Sequence, residues 1–458
     1  MTFVELLPVF MFLALGLLLF TGFPVAFILG GIGLGFAFLA QELGAFNVAR
    51  LVIIPNRIFG STMENPVLVA IPMFIFMGTM LEKSGVAKDL LNCLQVLTRR
   101  VPGGLALSVT LMGTIMAATT GIIGASVVMM TLLALPVMME RNYNIPLATG
   151  TIASSGTLGI LIPPSIMLVI MSDLMSIPVG TVFVAAIVPG LLLAALYAVY
   201  ILVLCHFKPQ LAPPLPDDIG PTTRSEFWIM ILKSFVPPVF LIVIVLGSIF
   251  AGLATPTEAA GVGAVGATLL ALLNRKLAFG VLRDVCHRSA LTTAMLFGIF
   301  LGATCFSLVF RWLGGEVLID EFIAWAGVGP WGILFVLMGM IFFLGFFFDW
   351  VEITLIVLPV FGPIVAKLDF GMHLAGFDGV GEVALIWFTI LVSTNLQTSF
   401  LTPPFGFALF YMKGVAPPEV NIQQIYKGII PFVLLQLIGL GLCILFPGIV
   451  LWLPNALL

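Results

Sequence analysis

The sequence predicts an all-α polytopic membrane protein made of two inverted repeats, each pairing a re-entrant hairpin with a broken helix. Composition is the first observation: 61% of the 458 residues are hydrophobic and 9% are charged, against roughly 25% charged in a soluble domain. The second is a string of small polar residues leading to a Pro-Pro pair, which occurs twice inside apolar sequence. It runs from Ser154-Ser155-Gly156-Thr157 to Pro163-Pro164-Ser165, and again from Asn395-Leu396-Gln397-Thr398 to Thr402-Pro403-Pro404. The third is the placement of Lys and Arg, which orients a polytopic chain where the net charge of −3 does not.

Taken in order, residues 1–65 hold two spans, split at Thr21-Gly22-Phe23-Pro24, and an outer interfacial segment carrying Arg50 and Arg57. The apolar runs 6–40, 66–81, 147–171, 182–204, 236–253, 290–310 and 429–453 are near or above the ~17–25 residues a span needs. The first continues past any small-residue cleavage site, so no signal peptide is expected. Lys83, Lys88, Arg99 and Arg100 fall in one loop and Arg275, Lys276, Arg283 and Arg288 in another, and both belong inside. The loops 311–330 and beyond Lys367, with Asp369 and Asp378, are poor in Lys and Arg and belong outside.

These assignments force the two hairpins. Arg100 and Arg141 both read as cytoplasmic, so the apolar stretch between them crosses an even number of times. A hairpin over about 103–139, with its tip at Thr119-Thr120-Gly121-Ile122-Ile123-Gly124-Ala125-Ser126, meets that count. Residues 331–366 lie between two outer loops and centre on Phe348-Asp349-Trp350-Val351-Glu352, which predicts a hairpin entering from outside. Broken helices follow at 145–173 and 383–413, because a proline pair removes ladder donors and pushes the preceding residue toward extended backbone. The repeats are then 66–207 and 290–458, in opposite orientation. Residues 208–289 join them through a Pro-rich solvated loop (209–221) and two spans.

Irregular backbone in hydrocarbon is tolerated only where it lines a polar cavity, and a matched pair of such breaks points to a secondary transporter. Half-helix N-termini favour anions and C-termini favour cations. Ser154, Ser155, Gly156, Thr157 and Ser165 surround the first break; Thr394, Asn395, Gln397, Thr398 and Thr402 surround the second. These hard oxygen donors suit a monovalent cation, and the duplication implies two sodium sites. Thr398 is also a candidate for substrate contact. The competing reading, small residues packing helices closely, weakens because the clusters recur symmetrically.

Intramembrane carboxylates are costly and usually functional. Asp349, at the second hairpin tip, is the leading candidate for a sodium or substrate-proximal role, with Glu352 one turn on; the alternative is that one of them caps a half-helix. Glu258 reads as structural, completing a capping box with Thr255 ahead of Pro256. Cys93, Cys205, Cys286, Cys305 and Cys443 are isolated, and His206, His287 and His373 lie in or beside loops, which excludes a zinc or disulfide framework. No Walker A string, nucleic-acid motif or catalytic constellation occurs within the spans, so neither ATP-driven transport nor an intramembrane enzyme is expected.

The residues resemble the large membrane (M) subunit of tripartite ATP-independent periplasmic (TRAP) transporters over essentially the whole chain. The resemblance rests on ASSGTLGILIPPSI at 153–166, GASVV at 124–128, ATPTEAAGVGAVGA at 254–267, FFDW at 347–350 and NLQTSFLTPPFG at 395–406. It implies an elevator transporter of the bacterial inner membrane, coupled to sodium. Its partners would be a separate small membrane (Q) subunit and a periplasmic binding protein that delivers an organic acid. By position it implies one sodium site built by Gly121, Ser126, Ser154 and Gly156 and a second drawing on Asp349, Thr354, Gln397 and Thr402, with Ser154, Ser165 and Asp349 near the substrate. The bulky Ile122 and Ile123 depart from the family's small polar residues, so backbone carbonyls must dominate there. No Arg or Lys lies at either break, which leaves a carboxylate to hydroxyls, helix N-termini and sodium. A sodium-coupled carboxylate symporter working without a binding protein is the alternative.

Overall fold

In hydrocarbon the backbone must satisfy its own N–H and C=O groups, and among the described residues it does so with helices and no strand. The computed structural model describes residues 3–120, 123–216, 220–221, 223–371, 381–403 and 406–457, with backbone alone at 118–120 and 322–326. Eight of the described helices are long and apolar enough to cross a membrane. The chain is a multi-pass membrane protein.

Helices Leu7–Leu19 and Val25–Glu42 are separated by a turn in which Gly22 has φ 77°. Val25–Glu42 lies along the 34-residue helix Phe279–Trp312, and small residues set the separation. A Cβ on Gly302 would sit 2.3 Å from the Ala26 carbonyl oxygen, and one on Gly33 would sit 2.9 Å from Cys305 Sγ. Helix Ala70–Lys83 packs on Pro256–Leu273, whose N-terminus carries the expected capping box. Thr255 Oγ1 accepts from Glu258 N at 3.3 Å, and Glu258 Oε2 accepts from Thr255 N at 2.8 Å.

Around the first Pro-Pro pair, helices Gly104–Thr120 and Ile123–Glu140 pack against each other and against Ile145–Thr157. That helix tightens into a 3-10 turn, Leu158–Ile160, opens through residues 161–165, and resumes as Ile166–Leu174. Helices Pro330–Leu344 and Trp350–Val365 precede Glu382–Leu401, which ends before Thr402 and resumes as Phe407–Val415. Pro404, Phe405, His373 and Asp378 lie outside the described residues.

Four sequence expectations need correction. The basic segment after Lys83 is not a loop but the helix Val86–Thr98, because Val86, Leu90, Leu91 and Leu94 form a buried stripe while Lys88 and Asp89 occupy other faces. Residues 311–330, expected as an outer loop, contain the helix Gly315–Ala326. The boundary placed at 289/290 falls inside the continuous helix Phe279–Trp312. Its first turns extend beyond the apolar run, and Asp284 pairs there with Lys83 and Arg288 at 3.1 Å. The Pro-rich segment is not simply solvated: Ala212 and Leu215 are buried, and its backbone bonds to the feet of the first helix pair. Gly103 N donates to Ala212 O (3.0 Å), Asn144 N to Leu211 O (2.8 Å) and Leu215 N to Arg99 O (3.0 Å). Proline-rich composition predicts missing donors, but carbonyls remain free to accept.

Candidate functional site: two facing helix breaks

Thr157 is the last residue of its α-helix, and the 3-10 turn that follows diverts Leu161 N to Leu158 O. The Thr157 carbonyl is therefore one of the orphan acceptors every helix C-terminus leaves. Gln397, from the helix of the second break, fills the need: its Nε2 donates to Thr157 O at 3.0 Å. Gln436, on helix Ile422–Leu445, donates to Thr157 Oγ1 at 3.4 Å. Thr157, Gln397 and Gln436 are all fully buried. The two breaks, distant in sequence, thus meet through a side-chain amide.

After these bonds some buried oxygens are left over. Gln397 Oε1, Thr354 Oγ1 and Thr151 Oγ1 have no hydrogen-bond partner among the described residues. A buried oxygen without a donor costs about 1–3 kcal/mol, so such a group calls for an ordered water or an ion. Gln397 and Thr354 were both expected to serve the second cation, and their helices pack together. Neutral oxygens of this kind fit a hard monovalent cation rather than a soft metal.

Most other predicted ligands are buried, with their hydroxyl protons already committed. Ser154 donates to Gly150 O (2.8 Å), Ser165 to Ile160 O (2.7 Å), Thr398 to Thr394 O (3.3 Å) and Thr402 to Thr398 O (2.7 Å). Each hydroxyl keeps its lone pairs, so it presents an acceptor, the form a cation needs. Ser155 lies against Gly113, and its Oγ reaches Thr110 Oγ1 at 3.4 Å. A Cβ on Gly156 would meet Val127 Cγ2 at 2.5 Å, so only glycine lets this turn approach the helix carrying Ser126, itself buried. Asn395 is partly diverted, since its Nδ2 donates to Met338 O at 2.7 Å. Gly121 lies outside the described residues.

Asp349 is the N-cap of Trp350–Val365. Its Oδ1 accepts from Trp350 N at 2.8 Å, while Glu352 Oε2 accepts from Asp349 N at 3.2 Å. The capping box also gives the Asp349 carboxylate the Glu352 backbone N–H, and only its remaining lone pairs are compatible with a ligand role. Tyr411, on Phe407–Val415, packs over the first tip, where a Cβ on Gly124 would lie 3.0 Å from its ring. Sequence reasoning passed over Gln436. A lone Gln in an apolar membrane helix was the signal that could have found it.

Residues 11–449 match the family model for the DctM component of tripartite ATP-independent periplasmic transporters. Among curated relatives, the chain is 30% identical to the C4-dicarboxylate TRAP transporter large permease protein DctM of Pseudomonas aeruginosa, over 86% of this chain and 87% of that one. It is also 30% identical to the isethionate TRAP transporter permease protein DctMQ of Oleidesulfovibrio alaskensis, over 98% of this chain and 66% of that one. Among solved structures, the crystal structure of the YdaH transporter of Alcanivorax borkumensis superposes with a TM-score of 0.63 at 14% identity, covering 88% of this chain and 90% of the other. The structural likeness speaks for the fold. The family model and the relatives agree on permease subunits rather than enzymes, and the chain belongs to the DctM family of TRAP transporter large permeases.

Proposed function

We propose that this chain is the transporting subunit of a sodium-coupled system that imports a small organic acid across the bacterial inner membrane. The observation that carries this reading is the junction at Thr157, where two helix breaks meet and leave buried oxygens on Gln397 and Thr354 unpartnered. Two sodium ions held by the breaks and hairpin tips supply the positive charge that offsets a carboxylate. Ser154, Ser165, Thr398 and Asp349 are the residues proposed to meet the substrate, and Gly121, Ser126, Ser155, Gly156, Asn395 and Thr402 complete the ion sites.

The movement proposed is an elevator, in which the two inverted repeats contribute their hairpins and broken helices to one rigid body. Close backbone packing supports that rigidity: a Cβ on Gly150 would lie 2.1 Å from Gly428 O, and one on Gly113 would lie 2.9 Å from Ser155 O. The partners proposed are a small membrane subunit, by analogy with the relative whose name joins M and Q, and a periplasmic binding protein. The test is reconstitution of this chain with its small subunit and loaded binding protein, measuring uptake with sodium replaced by choline. Uptake should collapse without sodium. Undiminished uptake overturns the coupling, and uptake by this chain alone overturns the tripartite requirement.

A further inference from the structure

A cleft of about 310 Å³ is lined by none of the residues of the junction. Its walls come from the segment holding Arg57 and Asn65, from the helix Phe279–Trp312, from the end of Ile166–Leu174 and from Trp350–Val365. Charge placement in the sequence assigns this end of the molecule to the outside. Two guanidinium groups, Arg57 and Arg311, face a single lining carboxylate, Asp173, and that one is engaged by Asn65 Nδ2 at 2.6 Å.

Arg311 is held in place by local covalent structure. Residue 363 is a proline, so the Pro359 carbonyl has no i+4 donor inside its own helix. Arg311 Nη2 donates to that carbonyl at 2.8 Å across the cleft, and its Nε lies 3.0 Å from Glu316 Oε1. A guanidinium carries five N–H donors, so donors remain, and about a third of the side chain (35%) is exposed. Arg57 is exposed and has no ion-pair partner among the described residues. Two of the lining hydroxyls do not compete as donors, because Ser61 donates to Arg57 O at 2.5 Å and Thr304 to Phe300 O at 2.9 Å. The volume falls at the small end of ligand pockets, roughly 300–1,000 Å³, and paired guanidiniums match a carboxylate's two oxygens.

We propose that this cleft is an entry site for the carboxylate group of the transported acid, where Arg57 and Arg311 supply the positive charge that the breaks lack. The proposal rests on the transport reading above and adds to it a separate place where the anion first docks. An acid held there touches the long helix and, through Arg311, the helix following the second tip.

The test places a thiol in the cleft as Ser307→Cys, with Cys286→Ser removing the one exposed native cysteine. Methanethiosulfonate reagents bearing a sulfonate or an ammonium then report the local potential. With each rate normalised to that reagent's rate on a free thiol in solution, the sulfonate should react about tenfold faster, as a positive potential on the order of one to two kT requires. Adding Arg57→Gln should bring the ratio near one, while Arg57→Lys should keep most of it. Millimolar succinate or acetate should slow labelling where phosphate at equal ionic strength does not. Equal rates for the two reagents in the parent, or equal protection by phosphate, overturns the proposal. The measurement is repeated in phosphatidylcholine vesicles with and without phosphatidylglycerol, where loss of succinate protection in the anionic lipid assigns the cleft to a headgroup and also overturns it. Sodium-dependent uptake is measured on the same Ser307→Cys protein, so sodium-independent uptake with intact protection rejects the transport reading and leaves the docking site standing.

Discussion

Gln397→Leu tests the junction between the breaks. Leu approximates the volume of Gln, so little cavity forms, but the donor to Thr157 O disappears and no other donor among the described residues reaches that carbonyl. The lost bond and the stranded, fully buried acceptor together cost about 1–3 kcal/mol, or roughly 5–150-fold in any equilibrium that depends on the breaks facing each other. The same change removes Oε1, one of the unpartnered oxygens assigned to sodium. Two readouts follow from one substitution: thermal unfolding of the purified protein should move down, and the sodium concentration giving half-maximal uptake should rise several-fold. Gln436→Leu is the internal comparison, because its bond to Thr157 Oγ1 is longer, at 3.4 Å, and leaves no carbonyl stranded; its effect on stability should be smaller. A Gln397→Leu protein with unchanged unfolding and unchanged sodium dependence refutes both the energetic argument and the ligand assignment.

Asp349→Asn keeps a side chain that caps nearly as well, so the protein should unfold at the parent temperature while uptake falls sharply; wild-type uptake would reduce Asp349 to its cap. Gly150→Ala drives a methyl group into the Gly428 carbonyl and should destabilise by about 1–3 kcal/mol, whereas Gly261→Ala, with nothing within 4 Å, should be neutral or up to ~1 kcal/mol stabilising by helix propensity. Thr255→Ala removes the acceptor for Glu258 N and should cost about 1 kcal/mol without changing sodium dependence, a separation visible by measuring unfolding and uptake together.

The breaks were legible because proline writes its effect into sequence directly: no donor, restricted neighbours, and small polar residues gathered where a helix cannot continue. The helix pair between Arg100 and Arg141 followed from counting crossings, since two basic ends on one side require an even number. What escaped was carried by groups that leave weak marks. Helix Val86–Thr98 was hidden because Lys88 and the flanking Lys83, Arg99 and Arg100 read as a loop while its apolar stripe is short. The pairing of Gln397 with Thr157 depends on which carbonyl a distorted turn strands, and no spacing rule predicts that. Arg311 looked like an ordinary loop charge, and only its reach to the carbonyl freed by Pro363 gives it a position in the site. The backbone contacts of Leu211, Ala212 and Leu215 involve no side-chain chemistry at all.

Those last contacts bear on how the molecule is made. Gly103 and Asn144 leave the ribosome well before Leu211 and Ala212, which supply their acceptors, and the 29-residue helix Val179–Phe207 intervenes. The first helix pair therefore enters the bilayer with its base unfastened and is tied off only when the chain has run on, turned and come back to that base. A nascent chain halted before Ala212 lacks the fastening, so insertion of this segment is finished by sequence translated after it.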